Sequence, residues 1–192
     1  MLPNPDLEGI VLRLEDPFRG MQEALDTLKS SNLTGLADVQ QYARRLIDVY
    51  RIATGRIDRA VEEARTRGQT IIDQYSQSIE GHDVLGEYDS QAQKARVLWV
   101  KLDVDQKLRG LKLEAESMKE DLPQRLQQEL ANEFVDVRTK FAYVIFKTPE
   151  GTYGVDLNEP GKGIRNAEYV PPFFGVEGYL LRKAVAPIPE NK

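Results

Sequence analysis

The sequence predicts a mainly α protein with a small β module, an α+β fold: a long antiparallel coiled-coil helical hairpin followed by a C-terminal β-hairpin or meander. Three observations carry this. Apolar or small residues recur with alternating steps of three and four from Leu36 to Ala64. Turn-forming residues over 81–89 then interrupt the pattern before a second helical stretch. From Phe141 the chain becomes rich in β-branched and aromatic residues broken by Pro and Gly.

In chain order, residues 1–16 read as an extended segment whose apolar run Ile10 to Leu14 could add a strand to the β module. Asp16-Pro17 reads as a helix start, because Asp accepts from the free N–H groups of a first turn and Pro suits the first helical position. A short helix over Pro17 to Ser30 is expected, ended by the cap and turn residues of "SSNLTG".

The long helix is predicted from about Gly35 to Glu80. Its seam is Leu36, Val39, Ala43, Leu46, Tyr50, Ala53, Ile57, Ala60 and Ala64. It then advances by four twice, through Gly68 to Ile72, before Tyr75 and Ile79; this is a stutter, which locally unwinds a supercoil. The alanines predict a slim, closely approached helix pair; the rival to the hairpin is a parallel oligomeric coiled coil, in which the seam pairs with its copy on another chain, and the break at 81–89 favours the hairpin.

The second helix is predicted on Tyr88, Ala92, Ala95, Trp99 and Leu102, then, after a slip of phase, on Leu108, Leu111, Ala115, Met118 and Leu122. Trp99 is accordingly expected in the core. Outer-face pairs at helical spacing are Asp103 with Lys107, Asp105 with Arg109 and Asp136 with Lys140, each worth a few tenths of a kcal/mol at most. Pro123 predicts a kink, or a fresh helix capped by Asp121, and helical character is expected to run on to about Lys140. The helical region is therefore 17–140, with a turn near 81–89. The β module is 141–192: "KFAYVIFKTPEGTYGVDL" reads as a hairpin turning at "PEG", "EYVPPFFGVEGYLLRKAV" as one or two further strands around a Pro-Pro break, and "APIPENK" as an extended tail.

Composition bounds the function. Charged residues are 30% and hydrophobic residues 41% of the chain, and mean hydropathy is −0.48, values that suit long exposed helices. A net charge of −5 repels phosphate backbones, and no basic cluster offsets it, so nucleic acid is not an expected partner. The absence of cysteine excludes disulfides, thiolate metal ligands and a cysteine nucleophile. "MLPNPDLEGI" lacks the basic start and apolar run of a secretory signal, and "FAYVIF" is too short to span a bilayer. A soluble, cytoplasmic protein without membrane insertion is expected.

Few residues invite a chemical reading. Gly161-Lys162-Gly163 resembles part of a phosphate-binding loop, but that loop needs GxxxxGK followed by Ser or Thr, between a strand and a helix. Here six residues separate Gly154 from Gly161, Gly163 stands where the magnesium-binding hydroxyl belongs, and extended sequence follows; a connection between strands is expected instead. Asp103 and Asp105, two apart on a helix, point in different directions and cannot share a metal. His82, the one histidine, has no partner for a triad or a metal site. No catalytic, cofactor, metal or small-molecule site is expected.

The remaining candidate is a cluster of large aromatics, Tyr169, Phe173, Phe174 and Tyr179, around two prolines and two glycines. These rings either fill the core of the β module or face outward to anchor another protein, as aromatic hot spots do. The expected function is a non-enzymatic structural or assembly protein: an elongated subunit docking through its C-terminal β module onto protein partners or copies of itself, as an accessory component of a phage or virion would. The alternative is a cytoplasmic adaptor or chaperone-like coiled-coil binder gripping partners along the helices.

Overall fold

The computed structural model describes residues 13–80, 87–171 and 178–189, with the backbone alone for residues 80 and 87–90. Three helices, α1 (Gln22–Lys29), α2 (Leu36–Glu80) and α3 (Glu87–Leu130), precede five strands: β1 (Val135–Arg138), β2 (Tyr143–Thr148), β3 (Gly151–Asp156), β4 (Ile164–Val170) and β5 (Gly178–Ala186). The fold is α+β, two long helices followed by an antiparallel sheet in the order β1-β2-β3-β4-β5. The chain divides into two compact units, one built on Gly55–Lys119, the other on Pro17–Thr54 with Glu120–Lys192.

In the first unit, the later part of α2 packs against the earlier part of α3. Ile72, Tyr75 and Ile79 form one core cluster with Val100 and Val104, and Gly68 lies so close to α3 that a Cβ there would come within 2.7 Å of Val104 Cγ1. Asp58 pairs with Lys119, so the two segments run in opposite directions. The seam read from the sequence is the buried line of α2: Ile57, Gly68, Ile72, Tyr75 and Ile79 are buried, and Ala60 and Ala64 half-buried.

On α3 the register differs from expectation. The buried line is Gln93, Val100, Val104, Leu111 and Ala115, with Val97 and Leu108 partly buried along it. Its steps are three or four throughout, with two successive fours, Val100 to Val104 to Leu108, as the one stutter. Trp99 and Leu102, expected in the core, are 58% and 60% exposed, and Ala95 is exposed too. Their larger side chains drew the expected stripe onto the outer face, whereas three valines of modest size make the contact. Asp103 pairs with Lys107 at 2.9 Å as expected.

In the second unit, α2 is buried over a much broader arc. Tyr42, Ile47 and Val49 join Val39, Ala43, Leu46, Tyr50 and Ala53, because α1 and the sheet both need a face to cover, whereas a lone partner helix covers only a stripe. Leu25, Leu28 and Leu33 come from α1 and its exit, Leu122, Leu126 and Leu130 from α3, and Val144, Ile145, Phe146, Val155 and Ile164 from the sheet. The ring of Tyr42 meets that of Phe146 edge-on at 5.5 Å. The start of α2 is tied to the β2–β3 turn, where Glu150 Oε2 accepts the Leu36 N–H at 3.4 Å, a carboxylate at the positive end of a helix.

Four expectations are corrected here. The first helix starts at Gln22, not Pro17: a turn over 17–20 closes through Met21 N–H to the Phe18 carbonyl at 3.0 Å, and Gly20 at φ +76° leaves helical space. α3 runs unbroken through Pro123, which is buried inside it. Helix does not continue to Lys140. It stops at Leu130, where the Asn132 side chain accepts the N–H groups of Phe134 at 2.8 Å and Val135 at 3.0 Å and launches β1. Asp136 therefore lies on a strand and pairs with Arg138 at 2.9 Å, not with Lys140. The possible strand Ile10 to Leu14 falls largely outside the described residues; Arg13 and Leu14 are not in a strand.

Candidate functional site

The expected hairpin turning at "PEG" is β2–β3, with Thr148 paired to Gly151 across its two-residue turn. The Thr148 hydroxyl both donates to the Gly151 carbonyl at 2.9 Å and accepts the Gly151 N–H at 3.2 Å. β4 and β5 form a second hairpin, in which Tyr169 faces Tyr179. Its register slips between Arg165 and Ala167, which pair with Ala184 and Leu181. Between these pairs one β4 residue, Asn166, thus opposes two on β5, Arg182 and Lys183, a bulge that increases twist and bend. The Arg165 side chain takes up the carbonyls at the bulge, donating from Nε to Arg182 O at 2.6 Å and from Nη2 to Leu181 O at 2.7 Å.

The bend carries β5 back over the sheet. Leu181 lies against the bare backbone of Gly154 on β3, in space that a Cβ would occupy. Tyr179 reaches further. The guanidinium of Arg138, on β1, lies 5.2 Å from its ring centroid, and Lys147 Nζ, on β2, 6.0 Å from it. β1 and β5 are the two edges of the sheet, so the sheet is rolled until its edges approach across one side.

A pocket of about 220 Å³ lies between those edges. Gly178 and Tyr179 bound it on one side and Val137 and Arg138 on the other. Gln127 of α3 and the turn of Thr139, Lys140 and Phe141 close its ends, with Tyr143 beside them. The turn is made by Ala142, the one non-glycine at positive φ (53°) among the described residues. That conformation costs an L-residue energy and persists where the surroundings fix it; here Ala142 is buried, and its carbonyl accepts the Leu157 N–H at 3.0 Å. Phe141 is left 49% exposed, its ring 5.8 Å from that of Tyr143, with Lys140 Nζ 5.5 Å from its centroid.

Two cations, Arg138 and Lys140, therefore line the pocket, and a third, Lys147, lies 6.0 Å from the ring of Tyr179 at its wall. Arg138 has Asp136 as ion partner. Lys140 and Lys147 face aromatic rings, and neither pairs with a carboxylate among the described residues. Arg138 Nε is buried with no hydrogen-bond acceptor there. A β module of balanced charge thus concentrates positive charge at one corner.

No protein-family model, curated protein or solved structure matches this chain.

Of the four aromatics singled out from the sequence, Tyr169 and Tyr179 come together, their rings 5.5 Å apart and edge-on. Tyr169 is 51% exposed and Tyr179 half-buried at the pocket wall. Phe173 and Phe174 lie outside the described residues, as does His82. Sequence reasoning did not find Arg138, Lys140, Phe141, Tyr143 or Lys147. An alternating V-D-V-R run after a polar Asn was the available signal for β1, but nothing local shows that β5 rolls onto it.

The Gly161-Lys162-Gly163 stretch has a structural account. Pro160–Lys162 form one 3-10 turn, and Gly163 follows at φ +76° with the Ala186 carbonyl 2.7 Å from where a Cβ would sit. Only glycine fits that position. Lys162 pairs with Glu159, which holds its ammonium above the usual lysine range. No group of three or more His, Asp or Glu residues among the described residues is arranged to hold a metal ion. No described helix is long and apolar enough to cross a membrane.

Proposed function

We propose that this chain is a non-enzymatic assembly protein, a subunit that docks through its C-terminal β module onto protein partners or copies of itself within a larger complex. An accessory component of a phage or virion, assembled in a cytoplasm, is one such setting. On this reading α2 and α3 form an antiparallel coiled-coil hairpin that serves as the spacer. The observation that supports the reading is the Tyr169–Tyr179 pair at the rim of the pocket between the two edge strands. Large rings held at a partly desolvated rim are what protein hot spots are made of, and sheet edges accept further strands. Sedimentation velocity tests it: the wild type is expected to self-associate, or to travel with a fixed partner when purified from its source, and Tyr169→Ala with Tyr179→Ala to run as the free chain with an unchanged melting temperature.

A second reading, an adaptor or chaperone-like protein that grips partners along its helices, is favoured by the outer face of α3. Leu98, Trp99, Leu102 and Leu113 are 57–67% exposed there, and with Ala95 they follow helical spacing, as a face for an apolar partner helix would. Under this reading Trp99→Ala with Leu102→Ala abolishes partner binding and the tyrosine changes do not.

A further inference from the structure

We propose that the pocket between β1 and β5 receives an acidic, extended segment of a partner protein, one of whose carboxylates enters beside Arg138 and Lys140, with Lys147 at the Tyr179 ring adding to the positive charge of the corner. The inference rests on the docking reading above and names the chemistry of the partner.

The argument is one of charge and geometry. The chain as a whole carries −5, yet Arg138 and Lys140 line the pocket and Lys147 lies 6.0 Å from the Tyr179 ring at its wall, and of the three only Arg138 has a carboxylate partner among the described residues, Asp136. Lys140 and Lys147 are held near rings, at 5.5 Å and 6.0 Å from the centroids of Phe141 and Tyr179. Ring faces orient a cation without neutralising it, so both remain available to an incoming anion. Arg138 is fixed from two sides, by Asp136 at 2.9 Å and by the Tyr179 ring at 5.2 Å. A guanidinium held in place loses less entropy when it binds a carboxylate. A pocket of about 220 Å³ is small for an organic cofactor, since such sites usually exceed about 300 Å³, but ample for one acidic side chain. Its walls are the two edge strands of the sheet, where an extended backbone finds hydrogen-bonding groups with no strand beside them. Basic partners are disfavoured by the same three charges.

The test uses the full chain and a fluorescein-labelled octaglutamate peptide, with octalysine as the control of opposite sign and glutarate and inorganic phosphate as small competing anions, read by fluorescence anisotropy. Octaglutamate is expected to bind saturably at low salt and octalysine not to bind. Lys140→Glu with Lys147→Glu should weaken binding about tenfold or more, as removing rim charges does, while Lys112→Glu, on α3 in the other unit and outside the pocket lining, should change it less than about twofold. Lys140→Gln with Lys147→Gln, which removes charge without reversing it, should give a smaller loss in the same direction, and every variant should melt with the wild type. Absence of octaglutamate binding, or binding indifferent to both lysine pairs, overturns the proposal. Displacement by glutarate or phosphate at equal carboxylate or phosphate concentration overturns it in favour of a small-anion site. The docking reading falls separately: if Tyr169→Ala with Tyr179→Ala leaves assembly intact, docking is elsewhere, and if that pair abolishes assembly while the lysine variants keep it, only the charge inference is lost.

Discussion

Tyr42 on α2 meets Phe146 on β2 edge-on, ring centroids 5.5 Å apart, yet its hydroxyl is buried with no hydrogen-bond partner among the described residues. The ring belongs to the core and the oxygen does not. A buried hydroxyl without a partner costs about 1–3 kcal/mol. Tyr42→Phe keeps the ring contact and removes that cost, so it should stabilise the protein by about 1 kcal/mol and raise the melting temperature by roughly 2–4 °C. A lower melting temperature would mean that the hydroxyl has a partner.

Burial also pushes the Tyr42 phenol up to about 12 from 10.0. The unfolded chain releases this proton near pH 10, while the folded chain keeps it until about pH 12. Stability from this group is therefore complete below pH 10 and is lost as pH rises from about 10 to 12. Burial, and then the charge of Asp156, raise Tyr50 as well. Chemical denaturation between pH 8 and 11 should show a fall in stability at the alkaline end, shallower in Tyr42→Phe than in the wild type.

The helix seam gives a paired comparison. Ile57 is 1% exposed, and its neighbour Asp58 reaches Lys119 from a largely solvated position. Ile57→Asp buries an unpaired carboxylate and should cost about 3 kcal/mol or more. Asp58→Ala removes one surface ion pair, worth under about 1 kcal/mol. Equal melting temperatures for the two variants would contradict the register of α2.

Lys162 and Gly163 separate a ligand loop from a structural one. Lys162→Ala should leave the melting temperature within a degree or so, because its pair with Glu159 is exposed and contributes little. Gly163→Ala should cost about 1–3 kcal/mol, since the backbone is at φ +76° and the Ala186 carbonyl is in the way. ATP with magnesium should shift neither melt; a shift that depends on Lys162 would restore the phosphate reading.

How much of this was legible in the sequence depended on whether the signal was local. The seam of α2 and the Thr148 to Gly151 hairpin are periodicities or turn chemistries, and both appear where expected. α3 was misread in its first half because Trp99 and Leu102 outweigh Val97, Val100 and Val104 in size, while contact geometry favoured the valines. β1 was read as helix because four residues are too few to outvote the helical pattern behind them; Asn132 decides it through two side-chain hydrogen bonds. In the candidate site, Tyr169 and Tyr179 were visible as large rings in a small module. Arg138, Lys140 and Lys147 were not, because Arg138 and Lys147 meet Tyr179, and Lys140 comes to line a pocket with it, only after a bulge on β5 rolls one edge of the sheet toward the other, a tertiary event with no sequence period.

The central claim is that the β1–β5 corner docks a partner. Its most direct test is affinity and melting temperature measured together on Tyr169→Ala with Tyr179→Ala, using the species that sediments with the wild type, be it a second copy or a fixed partner. Tyr169 is 51% exposed and Tyr179 half-buried, so the fold should survive, with the melting temperature within about 3 °C of the wild type. The account predicts that affinity falls by more than about 2 kcal/mol, the size of a hot spot, with that melt retained. Full affinity in the folded variant would contradict it and return the binding surface to the outer face of α3.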